Sequence, residues 1–399
     1  MNVPTGEDNT YRFRILSLDG GGVRGAFTAG FLAAVEQRIG HTIGRHFDLV
    51  AGTSTGGIIA AAVAFGEPAA RIEQFYLERG PIIFRRWWDR PTNSRIRRWG
   101  CWLRRRPSWL VDLFLRRRNL DHYWLWSTKY ESTELRSALD EVFANRTLGQ
   151  SSTRLVIPSV NLTVGQPKVF KTAHLPLLFV DHAYRVTDVL LATTAAPTFF
   201  PHAVIDQGSA YIDGGVWANN PSMVAVVEAM QIMDRCSREV DPALTFDSTH
   251  MLSIGTGSPK LYARPPGTKA GIHWWMSNKL LEVMSLSQSK GIDFQSRHIL
   301  GDRYRRVEFD LPEYGWSMDN ASLVTDMVHI GRERGNAVAE ELRDQFFKGD
   351  ARPFVPYIPA VSQPAPLADQ PQFRRQEFRS SGDTIPQEFR SSEFREHHT

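Results

Sequence analysis

Three short segments of this chain carry residue types and spacings that suit acyl transfer. The first, Asp19-Gly20-Gly21-Gly22-Val23-Arg24-Gly25, follows the apolar run Ile15-Leu16-Ser17-Leu18 and opens a helical pattern. A glycine loop in that position can aim bare backbone N–H groups at an anion. The second, Gly52-Thr53-Ser54-Thr55-Gly56, joins an apolar run (48–51) to a helix-like stretch (57–65). Small neighbours let the backbone bend sharply there and leave Ser54 exposed on a strand-to-helix turn. The third, Gly208-Ser209-Ala210-Tyr211-Ile212-Asp213-Gly214-Gly215, ends a short apolar strand on Asp213. One segment can hold an oxyanion, one a nucleophile, and one a carboxylate that takes the serine proton. A serine hydroxyl needs such a base within hydrogen-bond reach. Partial burial would raise the pKa of Asp213 and make it a better base.

Each segment has a competing reading. Gly20-x-Gly22-x-x-Gly25 fits a dinucleotide fingerprint, which requires an acid about twenty residues on. Glu36 and Asp48 fall either side of that distance, and the serine turn arrives where the second strand should end. Asp213 could instead be a loop aspartate making its own turn hydrogen bonds. A Ser-Asp-His triad would place its histidine after the acid. His250, His273, His298 and His329 qualify by order, but none sits in a glycine-bounded loop.

With these segments in place, the chain resembles the patatin-like phospholipases. The resemblance extends through Ala195-Ala196-Pro197-Thr198-Phe199-Phe200-Pro201, Asn219-Asn220-Pro221 and Ser253-Ile254-Gly255-Thr256-Gly257, and spans about residues 12–345. It implies a dyad of Ser54 as nucleophile and Asp213 as base. It also implies an oxyanion hole from the backbone of Gly20, Gly21 and Gly22, with Arg24 supporting that loop. Within the family the chain is most similar to effectors of bacterial anti-phage systems that cyclic dinucleotides switch on. Membrane phospholipid is then the expected substrate, a cyclic dinucleotide the expected activator, and a constitutive lipase gated by membrane docking the alternative. A catalytically silent binding protein on the same scaffold is the reading from another class.

These residues need elements to position them, and the coarse pattern alternates strand and helix. Residues 12–18, 46–51, 154–162, 168–174, 251–255 and 303–310 read as strands. Residues 23–39, 188–194, 219–233 and 319–347 read as helical. Alternation of this kind predicts an α/β fold with a mainly parallel central sheet and helices on both faces. The uncharged run 49–66 is long enough to invite a transmembrane reading. Its four glycines and the Ser54 turn favour a buried strand followed by a buried helix.

Composition agrees with one sizeable catalytic domain, expected over residues 12–347. The 399 residues are 42% hydrophobic, ordinary for a globular chain. Two cysteines, Cys101 and Cys236, imply no disulfide framework and a reducing compartment. The first fourteen residues hold no apolar stretch of signal-peptide length. The enzyme is therefore expected in the cytoplasm, acting at the inner membrane surface. No Cys-x-x-Cys pair, His-Glu-x-x-His or calcium-type acidic loop occurs, so metal-independent hydrolysis without a cofactor is expected.

One region departs from this average. Residues 79–118 hold thirteen arginines against Asp89 and Asp112, a local charge of +11 in a chain whose total is +4. Seven of the eleven tryptophans fall between 84 and 126. This insertion, about residues 80–130, suits an anionic membrane interface, with cations on lipid phosphate and indoles at headgroup depth. It equally suits a solvated face whose tryptophans pack on the core, and a surface that grips nucleotide phosphates is a third reading. Nothing nuclease-like accompanies it, so no nucleic acid polymer is expected. From residue 353 the chain is proline-rich and then repeats a short polar unit, Gln376-Glu377-Phe378-Arg379-Ser380-Ser381 recurring at 387–392. That composition predicts a disordered tail over 353–399.

Overall fold

The computed structural model describes residues 11–85, 128–175, 180–205, 208–236, 245–257, 280–308, 311 and 316–357. The Trp/Arg-rich stretch 86–127, His273 and the repeats beyond 357 lie outside the described residues. By internal contacts the chain divides into Met1–Ile358 and Pro359–Thr399, and the fold below belongs to the first unit.

Among the described residues the fold is built on one sheet of eight strands, flanked by helices. In chain order the elements begin β1 (Phe13–Leu18), α1 (Gly25–Ile39), β2 (Leu49–Gly52), α2 (Thr55–Ala64) and α3 (Ala69–Ile83). They continue with α4 (Thr133–Phe143), β3 (Arg154–Asn161), β4 (Gln166–Lys171), α5 (Val186–Thr194), β5 (Ala203–Ile205) and β6 (Ser209–Asp213). Last come α6 (Gly215–Ala218), α7 (Ser222–Cys236), β7 (Thr249–Ile254), α8 (Leu280–Leu300), β8 (Tyr304–Val307) and α9 (Val324–Leu342). The strand order is β5-β6-β3-β2-β1-β7-β8, with β4 paired to β3. The pairs β3–β2, β2–β1, β1–β7 and β7–β8 are parallel, while β4, β5 and β6 join antiparallel.

The central strands read as apolar runs because both sheet faces are covered, and every residue of β1 and β2 is buried. Alternation along β1 sorts its side chains between two cores. Leu16 and Leu18 join Phe27 and Phe31 of α1, Ile59 of α2 and Met327 of α9. Phe13 and Ile15 face the other way, onto Ala225, Val226 and Ala229 of α7. The run 49–66 is thus β2 and the buried α2, and no helix among the described residues is long and apolar enough to cross a membrane.

Two expectations shift in detail. Of the strand expected over 303–310, the described residues form β8 over Tyr304–Val307, the Glu308 side chain caps a neighbouring loop, and 309–310 lie outside the described residues. The helix expected over 319–347 opens as a 3-10 turn at Ala321–Leu323, capped by the Asn320 side chain, and closes as a π turn over Arg343–Phe347.

Candidate active site

All three segments converge at the carboxyl ends of the parallel strands, where open α/β sheets place their sites. Ser54 sits between β2 and α2 with φ 54° and ψ −123°, a backbone strain that turns its side chain out of the chain path. The turn closes because Gly56 has no Cβ, which would otherwise overlap the Leu18 carbonyl oxygen of β1. The Ser54 N–H donates to Thr193 Oγ1 at 3.0 Å, and Thr193 donates in turn to the Pro158 carbonyl at 2.6 Å. Thr53 Oγ1 anchors the other side of the turn to the Ala218 carbonyl at 2.6 Å.

Ser54 Oγ donates to Asp213 Oδ2 at 2.7 Å. The other carboxylate oxygen accepts the Gly215 N–H at 2.6 Å, so Gly214 and Gly215 hold the carboxylate by turning straight after β6. Asp213 is 5% exposed. Burial pushes its pKa up from 3.8 to about 6, against the lowering effect of the Gly215 N–H and the Ser54 hydroxyl. The group remains ionised near neutrality and is a stronger base than a solvated aspartate.

The glycine loop lies across from this pair. Gly20 donates its N–H to the Asn219 carbonyl at 2.9 Å, which turns that group away from an incoming anion. Among the described residues no acceptor meets the N–H of Gly21 or Gly22, and both line the cleft beside Ser54. The loop is held tightly on its outer side. A Cβ on Gly21 would overlap Thr256 Oγ1, and one on Gly22, at φ 60°, would overlap the Met318 carbonyl. Thr256 Oγ1 donates to the Gly20 carbonyl at 2.9 Å, and Val23 N–H donates to the Met318 carbonyl at 2.8 Å. Arg24 is buried beneath the loop, with Nε directed at the Gly21 carbonyl (3.4 Å) and Nη1 3.7 Å from Glu282.

A buried ionic network braces the start of the loop. Asp19 takes a two-pronged contact from Arg306 of β8, Nη1 to Oδ1 at 2.8 Å and Nη2 to Oδ2 at 2.6 Å. Ser289 of α8 adds a third hydrogen bond at 2.7 Å. Burial raises the Asp19 pKa and the Arg306 guanidinium opposes that rise. Arg306 also donates to Glu308, whose other oxygen caps the Gly257 N–H. None of Thr193, Glu282, Ser289 or Arg306 announces itself in sequence, because each acts on backbone or on another charge far along the chain.

The cleft is about 1060 Å³ counting its open mouth. Apart from Ser54, Asp213 and the glycine loop its walls are mainly apolar, with Ile58, Phe75, Ile83, Phe84, Leu135, Phe199 and Phe200 among them. No histidine is among the described lining residues. His250 lies on β7, where burial and the charges of Arg12, Arg303 and Arg14 lower it to about 4; His298 and His329 are exposed on α8 and α9.

The family profile described as Patatin-like phospholipase matches residues 16–226, which include Ser54 and Asp213. The chain belongs to the patatin-like phospholipases. It is 32% identical over 343 residues to a "cGAMP-activated phospholipase" of Pseudomonas aeruginosa, covering 84% of this chain and 91% of that protein. It is 31% identical over 379 residues to a protein of the same description from Vibrio cholerae, covering 88% and 99%. "Patatin-like protein 1" of Arabidopsis thaliana is 30% identical over 336 residues, 75% of either chain. This phospholipase is accordingly a lipid acyl hydrolase of the serine ester hydrolase type. Its bracing elements α8 and β8 lie beyond the matched stretch 16–226.

Proposed function

We propose that this enzyme releases fatty acids from membrane phospholipids through a dyad of Ser54 and Asp213. The observation that carries the reading is the 2.7 Å hydrogen bond from Ser54 Oγ to a buried carboxylate at the mouth of an apolar cleft. Asp213 takes the hydroxyl proton as Ser54 Oγ attacks the ester carbonyl. The oxyanion is met by the N–H groups of Gly21 and Gly22, with Arg24 steadying the loop from below. Collapse of the tetrahedral intermediate expels the alcohol, which receives the proton from Asp213. Water, deprotonated by Asp213, then cleaves the acyl-serine ester and restores Ser54. A positioned base contributes about 10² to 10⁴ in rate, and one oxyanion donor about 10² to 10³.

The reading extends to control. Relatives at 31–32% identity over most of the chain bear the description cGAMP-activated. A cyclic dinucleotide is therefore the proposed activator here, in keeping with a role in defence against phage. A ligand activates only to the extent that it binds the open state better, about 1.4 kcal/mol for each tenfold shift. A second reading, activity without nucleotide but gated by the lipid surface, is favoured by Val216 and Met284. These cleft-lining side chains are 41% and 49% exposed.

Fatty acid released from phospholipid vesicles, measured by mass spectrometry with and without cyclic GMP–AMP at several anionic lipid contents, tests both. Release by wild type and background release by Ser54→Ala supports the dyad; equal release by the two proteins removes it. Full activity without nucleotide removes the activator, and indifference to anionic lipid removes the second reading.

A further inference from the structure

Beside the cleft lies a second cavity of about 770 Å³ counting its open mouth, and the side chains of Ile58 and Phe75 line both. The two spaces share more than a wall. On α2, Thr55 and Ile58 face the first cavity and Ile58 and Ala62 the second. On α4, Leu135 faces the first, and Ala138 and Val142 the second. Spacings of three and four residues keep each set on one helix face. The two spaces therefore line up along α2 and α4 away from Ser54, over about 10 Å from Thr55 to Ala62 at 1.5 Å per residue.

The far end is closed by Phe143, whose ring meets Phe65 edge-on at 5.9 Å. The deeper side chains of the second cavity are apolar: Ala62, Ile72, Ala138 and Phe143 are buried. Of its charged lining residues, Glu67 is mostly covered and paired with Arg71 and Arg146, while Arg79 of α3 pairs with Glu141 of α4 nearer solvent. Phe75 stands between the spaces, half-buried, with its ring edge-on to Tyr76 at 5.7 Å. The buried side of this lining offers a hydrocarbon chain apolar contact, with the polar side chains along the other side.

We propose that the second cavity is the distal part of the acyl-chain site, and that Phe75 is the partition that sets the preferred acyl length. The inference rests on Ser54 as nucleophile, since that fixes where the chain begins. A chain esterified at Ser54 runs along the Ile58 face of α2 and stops at the Phe75 ring; longer chains enter the second cavity only by displacing it.

The test is the kcat/KM of the full chain on p-nitrophenyl esters from butyrate to palmitate in one detergent, in whichever nucleotide condition gives the higher wild-type rate. For wild type, kcat/KM rises by up to about fourfold per methylene, the equivalent of about 0.8 kcal/mol per buried CH₂, and levels off where the chain meets Phe75. Phe75→Ala moves that point to longer esters, and Phe75→Leu moves it less. Adding Val142→Trp, which refills the second cavity, returns the Phe75→Ala profile toward wild type. Folded Phe75→Ala or Phe75→Leu protein with the wild-type profile overturns the proposal, and if Phe75→Ala fails to fold, Phe75→Leu decides alone. Ser54→Ala is run beside them: persistence of its activity refutes the nucleophile, whereas its loss with unmoved Phe75 profiles refutes the partition alone.

Discussion

Replacing Asp213 by asparagine is expected to abolish turnover and to stabilise the fold, and the size of the second effect follows from the site. Asp213 is buried and its pKa stands at about 6 instead of 3.8. That is roughly two pH units, so at about 1.36 kcal/mol each the ionised carboxylate costs the native state about 3 kcal/mol. The sign is fixed by which state holds the proton. The folded protein binds it more tightly, so this contribution to stability is fully present below about pH 4 and is lost as pH rises through about 6. Asparagine stays neutral throughout, and its side-chain oxygen can still accept the Gly215 N–H. The variant's advantage over wild type should therefore be near zero at low pH and grow to about 3 kcal/mol above roughly pH 6. For about 350 folded residues at about 2.1 cal/mol/K each, that is a rise in Tm of roughly 4 °C. Melting curves of both proteins across this pH range give the difference directly. A pH-independent difference, or a folded variant less stable than wild type near neutrality, would refute the account of the burial of Asp213. On the proposed mechanism the same ionisation governs catalysis, and wild-type kcat/KM should fall about tenfold per pH unit below roughly pH 6.

Further outcomes follow from the neighbouring geometry. Ser54→Ala should lower kcat by at least about 10³, and Ser54→Gly should be equally inactive but about 1 kcal/mol more stable, because glycine relieves the positive φ; activity assays and melts check both. Gly21→Ala places a methyl against Thr256 and should lower kcat by about 10² or more with a smaller change in KM, measured on a soluble ester. Arg306→Met strands the buried Asp19 carboxylate and should cost about 3 to 5 kcal/mol, a loss that Asp19→Asn in the same chain should partly reverse, read by urea unfolding.

The sequence exposes most of the chemistry because the chemistry is local. Ser54 and Asp213 stand within a few residues of the glycines that shape their turns, and the apolar runs of β1, β2 and β7 mark the strands that carry them. What it hides is support supplied from far along the chain. Helix α8 has no clear apolar stripe because its buried face holds Glu282, Ser289 and Ser296, and the first two meet Arg24 and Asp19. Arg306 reads as one more strand-edge cation until β8 is placed beside β7. The commitment of the Gly20 N–H to Asn219 is equally invisible, since it joins residues about two hundred positions apart. The antiparallel return of β6 onto β3 places Asp213 beside Ser54, and alternation of strands and helices alone gives no hint of it.

The central claim, that Ser54 is a nucleophile activated by Asp213, is tested most directly by covalent labelling. A long-chain alkyl fluorophosphonate, incubated with the protein and mapped by peptide mass spectrometry, should add to Ser54 alone. Labelling should slow about tenfold per pH unit below roughly pH 6, and should be lost in Ser54→Ala and reduced by at least about 10² in Asp213→Asn. Adduct on another residue, or labelling of Asp213→Asn at the wild-type rate, would contradict the account.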